Sequence, residues 1–459
     1  MSLSKKELLE IVVDLQHKIE LLLIENANLK RRIAILEKNS HNSSKPPSTD
    51  INKPDKSPER NQSLRKPSDN KPGGQIGHKG TTKIQTTTPD VINQCLPNTS
   101  CTYCGRSLAD IVATIVEKRQ IIDIPPIIPT VTEFQSINKR CSCGHNNRGV
   151  FPAEANAPVQ LGSNAQAFLI YLNVAQVIPL KRLETLCKDL FNLPICKRTI
   201  ENILERATNK GEPVKASILK IVQKSAWVGS DETGKRVEGN RWWEWVWQSI
   251  TATYYAIDKS RGYNVVEKHF GNDFQGTLLH DCLAAQNKTK AANGHQQCIP
   301  HIQRELQFLI GTFKHPWAFK LNRFLGAAQR ARDQIWSDNF DDNLRKSIIA
   351  NYEKRLESFL TPICANHDIL KLQKRIKKHR ESILRFMHSP DLPFHNNSSE
   401  QAIRMAKVKQ KISGCFRSQR GAERQACLLS IIETAKKQKM NILSAIKALL
   451  SETLVFQLT

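Results

Sequence analysis

Residues 5 to 38 carry the most regular apolar spacing in the chain. Leu8, Leu15, Leu22, Leu29 and Leu36 fall seven apart, and Val12, Ile19, Asn26 and Ile33 lie four after each of the first four. Leucine at d with β-branched residues at a, interrupted by one asparagine at a, predicts a parallel two-stranded coiled coil over residues 1–39. A homodimer through residues 5–38 follows. The alternative is one amphipathic helix packed on its own domain.

The pattern stops at residue 40. Pro46, Pro47, Pro54, Pro58, Pro67 and Pro72 stand among Ser, Asn and Lys, with few large apolar residues. Such a stretch cannot form a core, so residues 40–90 read as a flexible basic linker. Residues 91–150 read as a small β module. Ile121 to Ile137 alternates and carries Pro125, Pro126 and Pro129, which predicts strands and turns. Residues 158–212 predict short helices over Ala165–Ala175, Leu180–Leu190 and Arg198–Ala207. They form either a helix-turn-helix-like DNA-binding module, with Lys197 and Arg198 on its last helix, or ordinary helical packing.

From Ser225 the period becomes that of strands. Trp227-Val228 leads into Asp231, Arg241 to Ile250 alternates around four tryptophans, Thr251 to Ile257 follows, and Leu278-Leu279 leads to Asp281. The tryptophans are expected in the core. Residues 285 to 390 read as mostly helical, with Phe319–Ile335, Leu344–Phe359 and Ile369–Phe386 at helical spacing. A helix is predicted from about Asn397 through Val408, with Ser398 and Gln401 as a capping box and Glu400 in its first turn. One or two amphipathic helices follow over 425–450, with a helical tail at 441–459.

Charge sharpens the picture. Lys plus Arg number 68 against 43 Asp plus Glu, a formal charge of +25, which favours a polyanion such as nucleic acid. No apolar run is long enough to span a membrane, since Ala167–Leu180 is broken by Asn173, Gln176 and Pro179. The N-terminal residues do not read as a signal peptide. A cytoplasmic protein, nucleoid-associated when bound to DNA, is expected. Twelve cysteines in such a chain read as thiols and metal ligands rather than disulfides. Cys101, Cys104, Cys141 and Cys143, each pair followed by glycine, suit a structural Zn²⁺, with Cys95 and His145 as alternative ligands. Cys298 and His301 form a further Cys-x-x-His pair, which by itself more often serves structure.

Two aspartates at strand ends and one glutamate on a helix suit a two-metal phosphoryl-transfer site. Asp231, Asp281 and Glu400 would hold Mg²⁺ or Mn²⁺ through hard oxygen ligands. Adjacent side chains on a strand point to opposite faces, so Glu232 is left outside the set. Arg404, Lys407, Lys409, Lys411 and Arg417 surround Glu400 with positive charge and would hold phosphates.

The segments Asp231-Glu-Thr-Gly234, Asn396-Asn397 through Glu400, Arg404-Met405 and Lys409-Gln-Lys-Ile-Ser-Gly-Cys-Phe-Arg417 resemble DDE transposases of bacterial insertion sequences, in the insertion sequence sixty-six family. Ser43-Ser-Lys-Pro-Pro-Ser48 and Gly73-Gly-Gln-Ile-Gly-His-Lys-Gly80 extend the likeness, with Ile76 where proline is common. The family tends to have an aromatic residue near the position of Gln286. The resemblance implies a multidomain α+β protein, with a ribonuclease-H-like catalytic domain over 222–440 and a helical insertion at 291–390. It also implies accessory proteins encoded beside the transposase, and that the Cys298/His301 motif recurs in such enzymes. The expected activity is strand cleavage and strand transfer at element ends. The alternatives are a DNA-binding regulator with an inert domain, or a nuclease that does not join strands.

Overall fold

The computed structural model describes residues 5–36, 77–80, 83–288, 292–338, 340–361 and 366–457. Most of the expected linker lies outside these. Helix α1 (Lys5–Leu36) covers the heptads in one unbroken run. Along it Val12, Leu15, Ile19, Leu22, Leu29 and Ile33 are exposed.

The chain divides into two compact units, residues 63–130 and residues 1–62 with 131–459. In the first, Ser100 bridges Ser107 around the Cys101 turn. A clip joins Thr86 to Gln120, whose side chain both accepts from the Thr86 N–H and donates to its carbonyl, each at 2.8 Å. In the second, β1 (Asn138–Arg140) and β2 (Asn146–Arg148) form a short antiparallel hairpin whose turn holds Cys141 and Cys143. The strands expected over Ile121–Ile137 are absent, and Ile121, Ile124 and Val131 are exposed. Pro125, Pro126 and Pro129 have no N–H to give a ladder, which overrides the alternation.

The larger unit is a mixed α+β body built on a sheet. Its strands are β3 (Trp227–Val237), β4 (Asn240–Gln248), β5 (Thr253–Asp258), β6 (Phe274–His280) and β7 (Ala292–Gln297), in the order β5-β4-β3-β6-β7. The first three form an antiparallel meander, while β6 and β7 run parallel to β3. Trp245 and Trp247 stack at 5.8 Å, and Trp247 stacks on Phe270 at 5.7 Å. These rings are fully buried, as expected of core tryptophans. Of the tryptophans on β4, Trp243 lies partly open, with the guanidinium groups of Arg241 and Arg261 over its ring.

Helices α2 (Ser163–Ile170), α3 (Leu180–Phe191) and α4 (Lys197–Gln223) share one hydrophobic core with this sheet, α12 (Gln419–Lys437) and α13 (Ile442–Leu450). The first expected helix is cut at Ile170 by a wider π turn over Tyr171–Ala175. The third runs past its expected end and through Pro213. It continues because Ile203, Leu204, Ala207, Ile218 and Ile221 bury one long face, and it crosses α12 at Gly211, where a Cβ would meet Ile431 at 2.9 Å. Helix α12 covers the β5 edge: Ser430 and Thr434 hydroxyls accept the free N–H groups of Tyr255 and Thr253.

Between β7 and α11 (Asn397–Ser413) lie α7 (Ile299–Phe313), α8 (Pro316–Ile335), α9 (Asp342–Leu360) and α10 (His367–Lys378). They bury a second core around Leu306, Leu321, Phe324, Leu356 and Ile376. The stretch expected to be mostly helical over 285–390 thus includes a strand, β7, before α7. This strand reads poorly because its buried residues are Gly294, Gln296 and Gln297, none of them a large apolar side chain. Gln296 is satisfied by hydrogen bonds, taking the Phe386 N–H at 2.7 Å and donating to the Ile383 carbonyl at 3.2 Å.

Candidate metal centre

Strands β3 and β6 run in parallel register, with Trp227 opposite Thr277, Val228 opposite Leu278 and Gly229 opposite Leu279. The same offset carried two residues on sets Asp231 beside Asp281. Cys282, at a φ of 71°, then turns the chain sharply away in the left-handed region, which is uncommon for a residue with a Cβ. The spacing therefore delivers two carboxylates side by side, Asp231 within β3, not at its end as expected, because β3 continues to Val237, and Asp281 just past the end of β6.

A third carboxylate joins them. Oxygens of Asp231, Glu232 and Asp281 all lie within 4.8 Å of one another. Burial, then the charges of Asp281 and Glu232, push the Asp231 carboxyl well above its usual range. Burial, then Asp281, raises Glu232 to about 7, against the opposing pull of Arg261. Asp281 Oδ1 and Glu232 Oε2 are buried without a hydrogen-bond partner. Orphaned carboxylate oxygens that repel one another are what a hard divalent cation would satisfy, so the donor set fits Mg²⁺ or Mn²⁺.

Glu400 stands outside this close set. Its Oε1 lies 3.9 Å from His301 Nε2 and 3.9 Å from Arg304 Nη2. Its charge nonetheless contributes to the raised Asp231 carboxyl, so it shares that neighbourhood. The start of α11 is tied down at several points. Asn396 Nδ2 donates to the Ser230 carbonyl at 2.8 Å, and the Asn396 N–H donates to Cys298 Sγ at 3.3 Å. Gln248 Nε2 donates to Ser398 Oγ at 2.6 Å. No capping box forms: the cap residue is Asn396, with no side-chain cap bond, because Ser398 is spent on docking the helix to β4. Gly229 lets α11 approach, since a Cβ there would meet Ser399 Oγ at 2.4 Å.

Cys298 and His301 part company. The thiol holds the Asn396 backbone, while the buried His301 ring faces Glu400. Gln286 is fully buried and donates to Ser230 Oγ at 2.8 Å, supporting the strand just before Asp231. Sequence reasoning passed over Glu232, Asn396 and Arg261. The adjacent acid is visible in the sequence, but strand alternation would send it to the opposite face, whereas all three carboxylates come within 4.8 Å of one another.

The basic residues divide. Arg404, Lys407, Lys411 and Arg417 are exposed, as are Lys197 and Arg198 at the start of α4. Lys409 is only 8% exposed, unlike its neighbours. Burial, then the charges of Lys235 and Arg424, lowers its ammonium to about 8. Lys235 itself pairs with buried Glu244 at 2.8 Å. The Gly414-to-Arg417 run is a strap: Phe416 exchanges backbone hydrogen bonds with Arg236 and Glu238, closing the end of α11 on the β3–β4 hairpin.

Each cysteine pair forms its own tight turn. The Gly105 N–H bonds to the Cys101 carbonyl at 2.9 Å, and the Gly144 N–H to that of Cys141 at 2.8 Å. Both glycines adopt positive φ. Backbone N–H groups, those of Cys104 and Tyr103 in one turn and foremost that of Cys143 in the other, lower the Cys101 and Cys141 thiols.

The family model described as Transposase IS66 family matches residues 158–424. The chain belongs to this transposase family. The match takes in Asp231, Asp281, Glu400 and the helices between them. A second model, described as a family of unknown function (DUF6444), matches residues 4–84 of this transposase-family chain. The chain is also similar to the uncharacterized protein y4jO of Sinorhizobium fredii (strain NBRC 101917 / NGR234), at 26% identity over 148 residues, which is 28% of this chain. The chain spans about half of that relative, 46% of its length. No helix among the described residues is long and apolar enough to cross a membrane.

Proposed function

We propose that this chain is the DNA transposase of a bacterial insertion sequence, cutting strands at element ends and joining them to target DNA. The observation that carries the reading is the closeness of the Asp231 and Asp281 carboxylates, whose oxygens lie within 4.8 Å, with Asp281 Oδ1 buried and unsatisfied. The strand order, an antiparallel meander extended by two parallel strands, supports a ribonuclease-H-like catalytic domain with α7–α10 as its helical insertion.

A bound Mg²⁺ would activate water or a 3′ hydroxyl and neutralise charge on the transferring phosphoryl group. Asp231 and Asp281 would hold it, with Glu400 entering from α11. Exposed Arg404, Lys407, Lys411 and Arg417 would take phosphates on either side. Lys197 and Arg198 would extend the DNA surface. Residues 5–38 would pair two copies, and accessory proteins would act with them. The work is done in the cytoplasm, at the nucleoid. Each cysteine turn, Cys101 with Cys104 and Cys141 with Cys143, offers two thiols to a structural Zn²⁺, and elemental analysis of purified protein should find zinc that Cys101→Ser reduces.

The deciding experiment is cleavage and joining of a labelled element-end fragment with Mg²⁺ or Mn²⁺. Wild type should cut and join. Asp281→Asn and Glu400→Gln should lose cleavage by orders of magnitude while still shifting the fragment in a gel. Cleavage without joining would mean a nuclease. DNA binding without cleavage by wild type would mean a regulator.

A further inference from the structure

We infer that Glu232 is a further ligand of the cation held by Asp231 and Asp281, and that Arg261 is its positioning residue. The inference rests on the metal-dependent reading above and names a ligand beyond the three acids of that reading. Its first support is geometry: the third carboxylate within 4.8 Å of the two aspartates is that of Glu232.

The second support is how its two oxygens are used. The Glu232 side chain is 1% exposed. Arg261 Nε and Nη2 both donate to the same oxygen, Oε1, at 2.9 and 2.6 Å. Oε2 is buried with no hydrogen bond of normal geometry, and the Gln286 amide that stands near the Glu232 carboxylate donates to Ser230 Oγ at 2.8 Å. An arginine fork that serves a carboxylate alone usually takes both oxygens. Here it takes one and leaves the other free beside two aspartates. Leaving a buried carboxylate oxygen unsatisfied is expensive unless something else meets it.

Charge gives the third support. Three acids share the pocket and Arg261 supplies one positive charge. A divalent cation removes the remaining repulsion. Arg261 is itself braced, its guanidinium 4.6 Å from the Trp243 ring, with Arg241 also at 4.6 Å. That stack orients the fork, so Oε1 is pinned and Oε2 presented. The strand allows it because β3 has no β6 partner beyond Gly229, which opens the edge beside Glu232. Glu400 lies outside the close set, so Glu232 supplies the third carboxylate before DNA arrives.

The test is Mn²⁺ binding to the full chain without DNA, with free Mn²⁺ counted by electron paramagnetic resonance. Glu232→Gln should weaken Mn²⁺ binding at least about tenfold. Asp281→Asn should abolish it. If Asp281→Asn binds Mn²⁺ like wild type, the metal-dependent reading itself fails. If Asp281→Asn loses Mn²⁺ but Glu232→Gln does not, the Glu232 inference is overturned and that reading stands. Should Glu232→Gln not fold, Arg261→Met decides by thermal melting. As a ligand-positioning residue, its loss weakens Mn²⁺ binding, so Mn²⁺ raises the midpoint of Arg261→Met by less than it raises that of wild type. An equal Mn²⁺ increment in both proteins would reduce the pair to a plain buried ion pair and overturn the inference.

Discussion

The Asn396 side-chain amide donates to the carbonyl of Ser230 at 2.8 Å, tying the residue that opens α11 to the residue that precedes Asp231. One hydrogen bond thus links the helix of Glu400 to the strand of the first aspartate. Both partners are fully buried, so no water can replace it. Asn396→Ala should lower unfolding stability by about 1–3 kcal/mol, because it strands the Ser230 carbonyl. Cleavage should fall much further than stability, since Glu400 loses its register against Asp231. Mn²⁺ binding by Asp231 and Asp281 should survive. Chemical denaturation, end cleavage and Mn²⁺ titration on one preparation check all three.

Lys409 gives a pH dependence whose sign can be worked out. Its folded-state pKa of about 8 lies below the ordinary lysine value of 10.5. Between those values the unfolded chain binds more protons than the folded one, so stability rises with pH across that window. Below it the full penalty of a buried charge remains. Lys409→Met should remove that penalty, raising stability near neutral pH by at most about 3 kcal/mol, and should flatten the rise. Denaturant melts at pH values of about 7.5 and 9.5 test this, since the window follows from the linkage. A variant that is less stable at both would show that Lys409 is paired and charged in the folded protein.

The exposed seam of α1 makes the third prediction. Val12, Ile19, Leu22 and Ile33 are each at least half exposed, at 50%, 55%, 61% and 52%, which a second copy would cover. Leu22→Lys should split the proposed dimer at micromolar protein. Asn26→Leu should strengthen association but blur its preference for two strands. Sedimentation velocity reads both, and an unchanged profile for Leu22→Lys would move the dimer contact elsewhere.

How much of this was legible before folding differs from element to element. Apolar periodicity reports which side chains leave water, so α1, β3 to β6, α8 and α9 could be read from spacing. Asp231 and Asp281 were legible for the same reason: each follows a short apolar run, and those runs pair in parallel as Trp227–Gly229 beside Thr277–Leu279. Periodicity is silent where polar groups are buried by hydrogen bonds. Strand β7 hides for that reason, its Gln296 and Gln297 carrying no apolar signal. Asn396 likewise looks like a helix cap and is a tether instead. Only the tertiary structure decided which acids meet. Glu232 joined the aspartates because β3 runs on without its neighbour, and Glu400 stood apart with His301 and Arg304. It also decided which lysine of α11 is sealed from solvent, since Lys407, Lys409 and Lys411 share one charge and one helix. What separates them is the face that β3 covers, and a sequence fixes that face only through the packing of strands far away in the chain.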